Sequence, residues 1–207
     1  AAIRRFGPVF AQLYGQGESP MTITALRPRD HHGKALFSAG TVRTDVEVRL
    51  VDEAGQPVPD GAEGEICVRG DVVMRGYWND PSADAKALKG GWLHTGDVGR
   101  FEDGHLYLLS RMNDVIISGG NNIYAVDLET VLAGHAEVLE SAVIGVPSDE
   151  WGESPLALVV ARPGAHIDAP ALCDWVNARV GKTQRLSGVE VRDELPRSHL
   201  KKKKKRE

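Results

Sequence analysis

Gly91-Trp92-Leu93-His94-Thr95-Gly96-Asp97, followed by Tyr107-Leu108-Leu109-Ser110-Arg111-Met112-Asn113-Asp114-Val115-Ile116-Ile117-Ser118-Gly119-Gly120, is the stretch on which the reading of this chain turns. By residue type it is a Thr-Gly-Asp turn, then an Asp103-Gly104 hairpin, then an arginine that ends an apolar strand ahead of a short apolar run and a glycine pair. Asp-Gly between apolar segments is a strong hairpin signal, and hairpin strands return close to where they left. An aspartate on a glycine turn and an arginine at a strand end can therefore reach one small polar ligand.

Working outward, the 207 residues are 42% hydrophobic and 26% charged, the balance of a soluble globular chain with one large or two small domains. No run approaches the roughly 18 apolar residues that span a bilayer, and Ala1-Ala2-Ile3-Arg4-Arg5-Phe6-Gly7-Pro8 lacks the apolar core of a secretory signal, so the expectation is cytoplasmic with no transmembrane segment. The formal charge is −4, yet residues 201–207, five lysines, an arginine and a glutamate, carry +5, which leaves −9 on the first 200 residues. A basic terminus this short reads as a solvated end, and nucleic-acid binding is not expected. Cys67 and Cys173 fall in a predicted strand and a predicted helix and read as buried free thiols rather than a disulfide or metal pair.

Tyr14-Gly15-Gln16-Gly17-Glu18 is a strand end running into a glycine-rich turn that carries one carboxylate, a group suited to a hard cation such as Mg²⁺. His31-His32-Gly33-Lys34 reads as a polar loop. Val46, Val48 and Leu50 alternate with polar residues, and Glu65-Ile66-Cys67-Val68-Arg69 alternates again, which predicts short strands joined by Gly and Pro turns. Asn79 to Leu88 predicts a short helix stopped by Gly90-Gly91. Val126, Leu128, Val131 and Leu132 predict a second helix with Gly134 as its stop. Val138–Val146, Leu156–Ala161 and Gly188–Val191 predict strands, and residues 170–180 predict a last amphipathic helix. The sum is an α+β chain: a β-rich, barrel-like first half, then a compact unit of helix, strand, strand, helix, strand.

Several of these segments together resemble the adenylate-forming acyl-CoA synthetase superfamily, which also holds luciferases and peptide-synthetase adenylation domains. Tyr14-Gly15-Gln16-Gly17-Glu18 resembles its Tyr-Gly-x-Thr-Glu motif, and His94-Thr95-Gly96-Asp97 its Thr-Gly-Asp motif. Ser110-Arg111-Met112-Asn113-Asp114 with Ser118-Gly119-Gly120 resembles its arginine, hinge and glycine motif. Gly145-Val146-Pro147 to Trp151-Gly152-Glu153 and Leu195-Pro196-Arg197 follow in the same order. The resemblance covers essentially the whole chain but only the later part of the family, so the chain looks like a fragment whose phosphate loop and acyl pocket belong to the remainder of a large domain upstream. It implies that residues 1–112 end the large adenylation domain and that 113–207 form a small mobile domain with a short sheet flanked by helices.

The implied reaction has two halves. A carboxylic acid, fatty or aryl, attacks the α-phosphate of ATP to give acyl-adenylate and pyrophosphate, and the thiol of coenzyme A then displaces AMP. By resemblance Asp97 accepts hydrogen bonds from both ribose hydroxyls, Arg111 donates to ribose or phosphate oxygens, Tyr14 lies beside the adenine, and Glu18 binds Mg²⁺. Asn113 is the hinge between the half-reactions, Ser118, Gly119 and Gly120 line the coenzyme A channel, and Lys202 is the catalytic lysine that bridges carboxylate and α-phosphate. A homodimer is left open.

The chain departs from the pattern at four positions. Gly17 stands for a threonine, Ala125 and Asp127 stand for proline and glutamate, and Lys201 stands for the glycine before the catalytic lysine, so that the register of Lys202 within five lysines is ambiguous. The alternative reading is a non-catalytic acyl-synthetase-like docking module with a basic tail. A serine hydrolase is excluded because Gly17-Glu18-Ser19-Pro20 lacks the glycine-flanked nucleophile elbow.

Overall fold

The computed structural model describes residues 2–196 and divides into two compact units between Met112 and Asn113. In the first, helix α1 (Ala2–Phe6) leads to strands β1 (Gln12–Gln16), β2 (Ser19–Leu26) and β3 (Thr41–Val42), an antiparallel three-stranded sheet. A second sheet holds β4 (Glu47–Val51), β5 (Glu63–Arg69), β6 (Leu88–Lys89), β7 (Trp92–Glu102) and β8 (His105–Arg111), in the order β4-β5-β7-β6 with β8 also on β7. Helix α2 (Pro81–Ala87) precedes β6; Asp80 accepts from the Ala83 amide at 2.9 Å and Pro81 opens the first turn, the start that the sequence predicts. Gly90 and Gly91, both at positive φ, then turn the chain from β6 into β7 rather than merely ending the helix.

The core of this unit lies between alternate residues of the strands: Ile23, Leu50, Ile66, Val68, Leu93 and Leu106 are buried together with Tyr14. The two sheets meet at Gly40, whose amide neighbour Ala39 donates to Leu106 O at 2.7 Å and whose own carbonyl accepts from the Leu106 amide at 2.9 Å. Gly40 has φ +93, and a Cβ there would lie 2.2 Å from the Ala25 backbone, so the junction requires glycine.

A 3-10 turn over Met112–Asp114 carries the chain across the division, and the second unit continues with the hairpin β9 (Val115–Ser118) and β10 (Asn121–Tyr124). Helix α3 (Ala125–Ala133), β11 (Val138–Ser148), β12 (Gly152–Ala161), helix α4 (Ala169–Asn177) and β13 (Gly188–Val191) follow. The sheet runs β10-β9-β12-β11, with β13 parallel to β12. Leu128 and Leu132 of α3 and Leu172 and Val176 of α4 pack with Val143, Ala157 and Val159 of the sheet. Each of these leucines and valines, taken out of water, contributes about 1.5–3 kcal/mol.

The α+β expectation holds, with two corrections of detail. The short apolar run Val115-Ile116-Ile117, to which the sequence assigns no element, is one arm of a hairpin, because Gly119 (φ +56) and Gly120 (φ +78) form a two-residue turn that pairs Ser118 with Asn121. Thr95-Gly96-Asp97 reads as a turn but lies inside the eleven-residue strand β7. Its register against β5 slips between the pairs Cys67↔His94 and Glu65↔Val98, and Gly96 takes φ +67, so it is a bulge that re-aims a continuous strand. Both cysteines are free; Cys67 is buried, whereas Cys173 is only half-buried. Among the described residues no helix is long and apolar enough to cross a membrane.

Candidate functional site

The β7 bulge is held by three hydrogen bonds, two of them to β5. Thr95 Oγ1 donates to Ile66 O at 2.8 Å and accepts from the Asp97 amide at 3.1 Å, and the Gly96 amide donates to Glu65 Oε1 at 3.1 Å. The consequence is an aspartate turned inward: Asp97 is only 8% exposed. Its Oδ2 accepts from Tyr14 Oη at 2.7 Å and from Gln16 Nε2 at 2.8 Å, while Gln16 Nε2 also reaches Thr95 O at 2.9 Å. Its Oδ1 faces Arg111 Nε at 3.3 Å across the β7–β8 pair, in which Asp97 and Arg111 are direct partners.

Tyr14, Asp97 and Arg111 are thus brought together. Tyr14 is buried in the unit core, and burial, then the Asp97 charge, raises its hydroxyl pKa, so it is a fixed neutral donor. Arg111 differs: its side chain is 66% exposed, so an oxyanion can approach the guanidinium beside a carboxylate already oriented by two donors. Asp97, with about four lone-pair sites, keeps acceptor capacity on the Arg111 side.

Glu18 stands apart from this trio. Its Oε1 accepts from Tyr77 Oη at 2.6 Å, a bond that pushes the Tyr77 hydroxyl up to about 12. A carboxylate that accepts from a hydroxyl through one oxygen retains a second oxygen as a donor to a metal, and so fits a hard cation. Gly15 is required where it stands, since a Cβ would lie 2.2 Å from the Met21 amide nitrogen, but a Cβ at Gly17 would meet nothing within 4 Å.

Asn113, Ser118, Gly119 and Gly120 belong to the second unit. Asn113 lies in the 3-10 turn at its start. The Gly119 amide donates to Trp151 O at 2.9 Å, and a Cβ on Gly119 would lie 2.7 Å from the Trp151 ring, so the hairpin tip packs against the indole only as glycine. Ser118 borders a cleft that it shares with Trp151, Lys182 and Arg185. Lys202, like Lys201 and Arg197, lies outside the described residues.

Sequence reasoning missed three residues. Gln16 is two positions from Tyr14 on one strand and so shares its face, a period-2 signal that could have found it. Glu65, by the same alternation, faces the bulge from β5. Tyr77 sits in a loop 59 residues from Glu18, and nothing local announces the pairing.

The model for the AMP-binding enzyme family matches residues 1–78, and that for the AMP-binding enzyme C-terminal domain matches residues 127–202. The chain is 44% identical over 207 residues to a medium/long-chain-fatty-acid–CoA ligase, FadD8, of Mycobacterium tuberculosis, a match that spans 96% of this chain and 36% of the relative. It is 41% identical over 191 residues to a feruloyl-CoA synthase of Amycolatopsis, with 92% of this chain and 39% of that protein covered. The solved o-succinylbenzoate CoA synthetase of Bacillus subtilis, bound to its acyl-adenylate intermediate, superposes with a TM-score of 0.89 at 36% identity, over 98% of this chain and 41% of that one. The same synthetase with ATP and magnesium ion gives 0.83 over 93% and 39%. The chain therefore spans about two fifths of the length of the proteins it matches. With both family models and these relatives in agreement along one continuous chain, it belongs to the AMP-binding, adenylate-forming enzyme family that contains the acyl-CoA ligases.

Proposed function

We propose that the protein carrying this chain activates a carboxylic acid, fatty or aryl, with ATP and then transfers the acyl group to coenzyme A. In the first step a carboxylate oxygen bonds the α-phosphorus and pyrophosphate leaves. In the second the thiol sulfur bonds the acyl carbon, its proton is lost, and AMP leaves. The observation that carries this reading is the Asp97 carboxylate, buried, fixed by Tyr14 and Gln16 and facing an exposed Arg111, in a chain 44% identical to a fatty-acid–CoA ligase.

Asp97 accepts from the ribose hydroxyls on its Oδ1 side, Arg111 supplies charge to ribose or phosphate oxygens, and Tyr14 braces Asp97 from below while its remaining open edge borders the adenine. Glu18 holds Mg²⁺, which neutralises phosphate charge when bound. Residues 1–112 act as the end of the large domain and 113–207 as the mobile one, with Asn113 as pivot; the division of the chain between Met112 and Asn113 supports that placement. Lys202 serves adenylation. Ser118, Gly119 and Gly120 line the thiol path, which the cationic Lys182 and Arg185 beside Ser118 support, since coenzyme A is polyanionic.

The test is carboxylate-dependent exchange of pyrophosphate into ATP, followed by thioester formation, across fatty and aryl acids, in protein extended upstream to the length of its relatives. Exchange is expected there, is expected to fall at least about tenfold with Asp97→Ala, and is expected to be absent from the 207-residue chain alone. No exchange with any acid, or exchange indifferent to Asp97→Ala, overturns the reading.

A further inference from the structure

The face of the β4-β5-β7 sheet that turns away from Ile66 and Val68 carries a cluster the carboxylate site uses only at its edge. Alternation along β5 puts Glu65 and Cys67 on this face, and the strand register sets His94 of β7 directly opposite Cys67. His94 Nδ1 lies 2.7 Å from Glu65 Oε2 and 3.5 Å from Cys67 Sγ, and one donor atom from each of the three falls within 4.8 Å of the others.

We propose that Glu65, Cys67 and His94 form a binding site for a thiophilic divalent cation of the zinc class, with solvent as the fourth ligand. Bond lengths of about 2.3 Å to sulfur and about 2.0 Å to nitrogen or oxygen, at tetrahedral angles, require donor separations of roughly 3.5 Å for S···N and roughly 3.3 Å for N···O. The sulfur is already at its distance from the imidazole nitrogen, and the carboxylate and imidazole need to part by only about half an ångström. Charge closes as well: one thiolate and one carboxylate neutralise a dication, with the imidazole neutral.

The setting is rigid, because the donors come from two paired strands, and the second Glu65 oxygen is fixed by the Gly96 amide. Cys67 is fully buried, while the Glu65 and His94 side chains are 15% and 17% exposed, which leaves a narrow approach for an ion and a water. Burial, then Glu65, pushes the Cys67 thiol up to about 12, so binding must displace its proton. Arg49, whose guanidinium stacks 4.1 Å from the Trp92 ring and lies near the thiol, favours the thiolate. A sulfur donor selects against Mg²⁺, which separates this site from Glu18.

The experiment uses the 207-residue chain and Co²⁺ as a spectroscopic stand-in, with no nucleotide present, so that its outcome is independent of the ligase reading. A sulfur-to-cobalt charge-transfer band in the near ultraviolet is expected, displaced by Zn²⁺, absent in Cys67→Ser and retained in Cys173→Ser. His94→Gln, a change at a partly exposed position, is expected to weaken Co²⁺ binding at least about tenfold, and it decides the matter if circular dichroism shows that Cys67→Ser fails to fold. No charge-transfer band at about 1 mM Co²⁺, a band that survives Cys67→Ser or vanishes in Cys173→Ser, or undiminished affinity in His94→Gln overturns the site.

Discussion

The β7 bulge of the first unit and the glycine hairpin of the second are both short, glycine-containing stretches, yet they are held by opposite means. Around Asp97 the work is done by side chains: Tyr14, Gln16, Thr95 and Glu65 each spend a hydrogen bond on the aspartate or on the backbone beside it. Around Gly119 the work is done by what is missing, since the tip approaches Trp151 at a distance that no Cβ permits. The first arrangement fixes a charge in a partly desolvated place, where geometry and satisfaction of polar groups decide its strength. The second fixes a backbone. Removal of atoms should therefore damage the first, and addition of atoms the second.

The largest effect expected from that contrast is for Asp97→Ala, which strips the acceptor from two donors, one of them in the core. A stability loss of about 3 kcal/mol is expected in urea denaturation, with Asp97→Asn losing less because it keeps an acceptor oxygen. A loss no greater than that of a surface substitution would break the contrast. Gly119→Val is expected to cost about 2 kcal/mol, from positive φ at a β-branched residue and from contact with the indole. Adding Trp151→Ala should return the steric part, so the double variant should be less destabilised than the sum of the singles. Additive costs would mean that the ring is not what the hairpin packs against.

Tyr14→Phe removes one of the two donors to Asp97 Oδ2 and is expected to cost about 1 kcal/mol, read by the same denaturation. A pH profile gives a separate test. A thiol whose folded-state pKa, about 12, lies above its ordinary 9.0 holds its proton more tightly when folded, so its contribution is complete below pH 9 and lost as pH rises toward 12. Stability should decline across that window, and Cys67→Ala should flatten the decline; an unchanged slope would assign it elsewhere. The smallest effect is expected for Gly17→Thr, within about 0.5 kcal/mol, because the space beside Gly17 is open. A large loss there would show that the glycine is structural after all.

The strands that alternate, the two amphipathic helices and the Asp103-Gly104 hairpin were legible because a side-chain period or a turn residue marks each one locally. The β9–β10 hairpin was not, since Val115-Ile116-Ile117 is too short and too uniformly apolar to show a period, and its turn signal was absorbed into the motif beside it. At the candidate site, Tyr14, Asp97 and Arg111 were legible as members of separate motifs. Gln16 is marked only by its period-2 spacing from Tyr14, and nothing in the sequence announces the Glu18–Tyr77 bond, because it joins residues whose own surroundings give no sign of each other.

By itself the sequence determined the α+β class, the order of the motifs and hence the family, because these depend on residue type and spacing along one chain. Only the tertiary structure decided that Thr95-Gly96-Asp97 is a bulge within a strand, that both donors to Asp97 Oδ2 come from β1, and that Glu65, Cys67 and His94 share one face. The physical reason is register: which residue faces which across a sheet is set by hydrogen bonds between distant segments, and one slipped pair moves every side chain to the other face.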